Sequence, residues 1–164
     1  MFKRLAILLY IVFSLTSCGS SKTTSSYNPR KTNEPKATVA DKITWTAVSY
    51  KGTPYRYGGT TKKGMDCSGL IYTSFKERNR DIPRTSGEMY KYGKPITLKN
   101  VQRGDLLFFI TSKKRGRINH VGLVTSIKNK TVYFIHSTTS KGVIVSNMEQ
   151  PYWKRTFVKA KRVL

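Results

Sequence analysis

The chain is 164 residues long, about one domain's worth, which excludes a large multidomain enzyme. Its 31 Lys and Arg oppose 8 Asp and Glu for a net charge of +23, yet 38% apolar and 12% aromatic residues allow a core and exclude a disordered basic tail. Such a charge points to a polyanionic partner, whether nucleic acid, an anionic membrane or an acidic polymer, and composition does not choose among them.

The N-terminus narrows the choice. Lys3 and Arg4 form a basic start, and residues 5–13 run without a polar break. That run is short for a membrane-spanning helix, which takes ~20 apolar residues, and suits the apolar part of an export signal. It closes in Leu15-Thr16-Ser17-Cys18, which resembles the bacterial lipobox, where the Cys becomes the lipidated first residue of the mature protein. The expected organisation is a signal peptide over 1–17, lipidated Cys18 and a linker over 18–40, and one globular domain over 41–164. Residues 19–40 carry eight Ser or Thr with Pro29 and Pro35, a flexible tether spanning ~25 Å r.m.s.. Export keeps the chain away from DNA and RNA, so no nucleic-acid partner is expected, and the membrane is met through lipid on Cys18.

Only two cysteines are present. With lipid on Cys18, Cys67 has no disulfide partner in the chain. An unpaired thiol in an oxidising exterior is either buried and inert or put to use. A Cys18–Cys67 disulfide is the third possibility, and it conflicts with a flexible tether.

Along the domain, 41–50 reads as a helix with Ile43, Ala47, Val48 and Tyr50 apolar. Lys51-Gly52-Thr53-Pro54, Gly58-Gly59 and Gly64 mark a loop. Asp66 stands where an N-cap belongs, ahead of Cys67, Leu70, Ile71, Ser74 and Phe75 at helical spacing. Ile82-Pro83 ends that segment, and Ser86, with Glu88 and Met89, opens a short helix. Strand-like runs follow at 105–110, 119–127, 132–137, 143–146 and 157–163. Helices first and sequential strands afterwards predict an α+β fold, with N-terminal helices packed on an antiparallel β-sheet.

Cys67 falls in the first turn of its helix, where unsatisfied N–H groups and the helix dipole favour a thiolate and lower the thiol pKa. A nucleophilic thiol also needs a base, and the chain has two histidines, His120 and His136. Their strands read as a hairpin about Ile127-Lys128-Asn129. Centred on Lys128, the turn makes the two histidines direct cross-strand partners on one face, with Cβ atoms ~4.5–5.5 Å apart. A one-residue slip places them on opposite faces. Thiol on a helix end, His120 as base and His136 as orienter follow the logic of a thiol hydrolase. Two histidines without a third His, Cys or carboxylate set beside them make a poor zinc site, so no metal or cofactor is expected.

At these residues the chain resembles the NlpC/P60 family of papain-like cell-wall cysteine peptidases. The likeness rests on Thr53-Pro54-Tyr55-Arg56-Tyr57-Gly58-Gly59, Gly64-Met65-Asp66-Cys67-Ser68-Gly69-Leu70, Pro83-Arg84-Thr85-Ser86, Arg103-Gly104-Asp105-Leu106 and Asn119-His120-Val121-Gly122. The run His136-Ser137-Thr138-Thr139-Ser140-Lys141-Gly142-Val143, with Pro151-Tyr152-Trp153-Lys154, is similar to the murein endopeptidase lipoproteins of that family. The resemblance implies a papain-like fold over 41–164 and hydrolysis of peptidoglycan stem-peptide cross-links between D-Ala and meso-diaminopimelate. It implies Cys67 as nucleophile, His120 as general base, His136 as third polar residue and Tyr55 as an oxyanion donor. Asp66, Ser68, Arg84 and Ser86 become substrate-binding candidates. One oxygen of Asp66 is expected to cap the helix while the other faces the groove, and Ser86 and Arg84 have the plainer readings of a helix cap and a solvated charge. Lys113-Lys114-Arg115-Gly116-Arg117 is either the edge of the groove or a solvated hairpin tip. A monomer in the bacterial envelope, anchored on the periplasmic side of the outer membrane, is the expected setting. Cleavage at γ-D-Glu–diamino acid, a non-catalytic murein-binding lipoprotein and an acyltransferase are the rival readings.

Overall fold

The computed structural model describes residues 36–112 and 116–164. The export signal, Cys18, most of the tether and Lys113, Lys114 and Arg115 lie outside the described residues. Helix α1 (Val39–Ser49) starts two residues before the expected position. Thr38 is its N-cap and forms a capping box: the Thr38 hydroxyl accepts from Asp41 N–H at 3.1 Å, and the Asp41 carboxylate accepts from Thr38 N–H at 3.0 Å. The domain thus begins inside the stretch that composition reads as tether.

A two-stranded hairpin, β1 (Thr60–Thr61) and β2 (Gly64–Met65), leads into helix α2 (Cys67–Lys76), capped by Asp66 as expected. Helix α3 (Ser86–Lys91) follows. Its N-cap is Thr85 rather than Ser86: the Thr85 hydroxyl accepts from Glu88 N–H at 3.3 Å, and Ser86 is the first helical residue. Six antiparallel strands make the main sheet: β3 (Lys94–Ile96), β4 (Leu106–Phe109), β5 (His120–Lys128), β6 (Thr131–Thr138), β7 (Gly142–Asn147) and β8 (Phe157–Arg162). Their spatial order is β3-β8-β4-β5-β6-β7, so the last strand returns to fill the gap between β3 and β4. A short helix α4 (Pro151–Thr156) precedes that return. The α+β arrangement is the expected one. Strands β1 to β3 are two or three residues long and α4 only six, too short to show a period, and all four escape a sequence reading.

Strict alternation buries both faces of the sheet. Leu106, Phe108, Val121, Leu123 and Ile135 point one way, into a core with Ile43 and Ala47 of α1 and Leu70, Ile71 and Phe75 of α2. Leu107, Phe109, Val124, Phe134 and Ala160 point the other way, against Trp153 of α4 and Met148. His120 and His136 share this second face: the Phe109 ring lies 5.9 Å from that of His120 and Phe134 4.9 Å from that of His136.

The β5–β6 hairpin departs from the expected geometry in two compensating ways. Its turn is the two-residue loop Asn129-Lys130, both at positive φ (49° and 65°), the twist that tight hairpins favour. Near the turn the pairs are Lys128 with Thr131, Ile127 with Val132 and Ser126 with Tyr133. Continued along the strand, that register sets His136 opposite Leu123 and turns the histidines to opposite faces. A β-bulge at Thr125 intervenes, after which Val124 pairs with Phe134 and Leu123 with Ile135. Gly122 then stands opposite His136, and His120 becomes its diagonal neighbour on the same face, not its direct partner. A Cβ at Gly122 would come within 2.5 Å of the Phe134 ring. Gly122→Ala should therefore lower stability by about 1–3 kcal/mol, the usual cost of overpacking, read as a fall in the urea midpoint.

Candidate active site

Cys67 opens α2, and its position is set by the Asp66 carboxylate. Asp66 Oδ1 accepts from Gly69 N–H at 2.6 Å, the capping bond, and from Ser68 Oγ at 3.2 Å. Oδ2 accepts from Gly58 N–H at 2.7 Å. Arg84 closes on both oxygens, Nη1 to Oδ1 and Nη2 to Oδ2, each at 3.2 Å, and Nη1 also donates to Ser68 Oγ at 2.9 Å. Protein donors engage both oxygens, so the one beyond the cap also holds Gly58 and Arg84, while Asp66 lines the groove. Asp66, Ser68 and Arg84 act as one clamp, and Arg84 is no free solvated charge. Ser86 lies beside it, lining the same part of the groove.

The histidines meet at the start of β5. His120 Nε2 lies 3.0 Å from His136 Nδ1, and His136 Nε2 lies 2.9 Å from Ser146 Oγ on β7. With Nε2 engaged, Nδ1 is the ring nitrogen of His120 left to work on a neighbouring group. The indole of Trp153 stacks on His120 (centroids 5.4 Å apart, 19° between planes) and meets His136 edge-on at 4.6 Å. Ser146 and Trp153 are the site residues that sequence reasoning missed. Only the register of β6 with β7, which pairs Phe134 with Ser146, brings the serine within reach of His136, and no motif signals it. Two further bonds hold thiol and histidines together. Ser137 Oγ donates to the Met65 carbonyl at 2.8 Å, and Val143 N–H donates to Thr53 O at 2.8 Å.

A cleft runs past the thiol in two arms that meet at Tyr55, Cys67 and Asn119. One arm, about 630 Å³, is lined by His120, Trp153 and a run of hydroxyls from Ser137 to Ser140. The other, about 580 Å³, is lined by Asp66, Ser68, Arg84, Ser86 and Arg117. Of the basic run 113–117, Arg117 therefore stands at the groove. Tyr55, half-buried, is held beside Cys67 by a bridge to Met65.

Burial favours the neutral forms of both the Cys67 thiol and the His120 imidazole. Burial pushes the Cys67 thiol up to about 11, and the negative charge of Asp66 adds to the rise, outweighing the N–H groups of Val121, Ser68 and Cys67 that favour the thiolate. The expected lowering is thus reversed, since the helix end exists but desolvation exceeds it. Burial also raises the Tyr55 hydroxyl and lowers the His120 imidazole to about 4. His136 is lowered as well, first by burial and then by His120.

The NlpC/P60 family profile matches residues 52–162. The chain belongs to the NlpC/P60 family. It is 42% identical over 118 residues to the murein DD-endopeptidase MepS/murein LD-carboxypeptidase of Escherichia coli (strain K12), covering 71% of this chain and 59% of that protein. The chain thus spans about three-fifths of the length of that relative. It is 36% identical over 140 residues to the probable endopeptidase NlpC of the same strain, covering 81% and 88%. Among solved structures, an NlpC/P60 family protein from Bacillus cereus superposes with a TM-score of 0.67 at 31% identity, covering 76% of this chain and 40% of that one.

Two histidines buried neutral in the fold bind protons more readily once unfolded. Stability is then complete above the ordinary histidine value of 6.5 and is lost as pH falls toward about 4. Urea midpoints should fall over that window, and more shallowly for His136→Gln than for the unsubstituted chain.

Proposed function

We propose that this chain is a peptidoglycan endopeptidase that hydrolyses D-Ala–meso-diaminopimelate cross-links through a Cys67 thioester. The observation that carries the reading is the buried relay Ser146–His136–His120 ending in the cleft that Cys67 opens onto. The name of one relative, murein DD-endopeptidase, supports the cross-link as the bond, and that of the other, probable endopeptidase, supports peptide hydrolysis.

With His120 Nε2–H donating to His136 Nδ1, and His136 Nε2–H to Ser146 Oγ, the lone pair on His120 Nδ1 is free for the thiol. His120 takes the Sγ proton as sulfur attacks the amide carbonyl, and the Tyr55 hydroxyl and Cys67 N–H hold the oxyanion. The tetrahedral adduct collapses as His120 returns the proton to the departing amine, leaving the acyl group on Sγ. His120 then deprotonates a water that attacks the thioester, the acid leaves and the thiol is restored. His136 orients His120. The Asp66–Ser68–Arg84 clamp, with Ser86, lines the arm for the acyl stem peptide. Asp66 acts there chiefly by fixing Arg84 and Ser68. Lipid on Cys18 holds this monomeric enzyme at the periplasmic side of the outer membrane, and its net positive charge of +23 suits stem peptides with free carboxylates.

Digestion of purified sacculi by the full chain and by its Cys67→Ala variant, with mass analysis of the fragments, tests the reading. Conversion of cross-linked dimers to monomers by the unsubstituted chain alone is the expected result. Stems cut after γ-D-Glu would move the assignment to that bond, and sedimentation with sacculi without cleavage would make the protein a murein-binding lipoprotein. Ser146→Ala should lower kcat about tenfold with little change in KM, a loss typical of outer-shell partners, measured on the same muropeptide dimers.

A further inference from the structure

We propose that Lys141 recognises a free carboxylate on the carbon that bears the leaving amine. This would restrict the enzyme to cross-links made through diaminopimelate with that carboxylate unmasked. The inference rests on the cross-link reading above and adds which charge on the leaving residue the cleft reads.

The direction of the substrate follows from the histidine. The departing amine must take its proton from His120, and His120 lines only the hydroxyl-rich arm of the cleft. The leaving strand therefore occupies that arm and the acyl strand the arginine-lined one. No Asp, Glu or Arg lines the leaving-group arm among the described residues, and Lys141 is its one Lys. Thr111, Thr138, Thr139 and Ser140 line the same arm with neutral hydroxyls.

Among the described residues no Asp or Glu pairs with Lys141. Each carboxylate of the described residues is engaged elsewhere: Asp41, Asp66, Asp81, Asp105 and Glu149 in ion pairs with other cations, Glu77 with the Tyr50 hydroxyl, and Glu88 in the α3 capping box. The backbone of Lys141 is also fixed relative to the thiol. Its N–H donates to Thr138 Oγ1 at 3.1 Å. The next residue, Gly142, has φ +62° and lies so close to the Thr53 carbonyl that a Cβ would approach it to 2.1 Å. Gly52 N–H donates to Val143 O at 2.9 Å, fastening the same turn to the loop that carries Tyr55. Only the four-carbon stem of Lys141 remains to adjust.

The chemistry of the bond supplies the ligand. In a D-Ala–meso-diaminopimelate cross-link the scissile nitrogen sits on a carbon that also bears a carboxylate. In a lysine cross-link that carbon is a methylene. At the γ-D-Glu bond within an intact stem, the neighbouring carbonyl is already an amide. Only the first presents an anion beside the leaving amine, where a partly exposed ammonium–carboxylate contact gives a several-fold preference.

The test compares kcat/KM of the full chain, purified in detergent, on cross-linked muropeptide dimers with this carboxylate free and with it amidated. The unsubstituted chain should prefer the free form about fivefold. The ratio should fall close to one in Lys141→Met and persist in Lys141→Arg. Because each ratio is taken within one preparation, a partly unfolded variant does not mimic the effect. A preference retained by Lys141→Met, or no preference in the unsubstituted chain, overturns the proposal. If the unsubstituted chain cuts neither dimer but shortens single stems, the cross-link reading itself falls and this inference with it.

Discussion

One unpaired residue decides whether this fold has a site at all. The Asn129-Lys130 turn fixes a register that, carried along the hairpin, would send His120 and His136 to opposite faces of the sheet. The bulge at Thr125 shifts it by one residue and returns both to the same face. The Thr125 hydroxyl donates to the Tyr133 carbonyl at 3.2 Å, satisfying an acceptor across the irregular step. Gly122, without a side chain, then leaves room for the Phe134 ring beside the diagonal pair. The relay from Ser146 through His136 to His120 depends on that shift, and so does the stacking of Trp153 on the imidazole.

The other half of the site is built from the opposite direction. Helix α2 packs on the far face of the same sheet, and the Val121 N–H of β5 favours the thiolate at its first residue. Asp66 makes this possible by serving several donors at once: the α2 cap, the Gly58 turn, the Ser68 hydroxyl and the Arg84 fork. Buried at 8% exposure, such a carboxylate is tolerable only when its lone pairs are filled. The same burial sets the resting state. Desolvation favours the neutral thiol of Cys67 and the neutral imidazole of His120.

Charge is distributed with equal economy. The few carboxylates of the described residues cap helices, close ion pairs or hold a tyrosine, and none lines the hydroxyl-rich arm of the cleft. The excess of Lys and Arg is left facing outward, which favours anionic polymers over long range.

The α+β class, the N-cap at Asp66, the placement of Cys67 on a helix end, the main strands to within a residue or two, and the company of Tyr55, Arg84 and the two histidines were legible in the residues alone. These are local properties: capping chemistry, alternation of apolar residues and an ordered series of motifs along one chain. The diagonal relation of His120 and His136, the recruitment of Ser146 and Trp153, the closing of Asp66 by Arg84 and the upward shift of the thiol came from the folded arrangement. Each depends on which strand lies beside which, on a bulge with no composition signature, or on how much water a folded chain excludes. Those quantities exist only once residues distant in sequence are packed together, and no window of the sequence contains them.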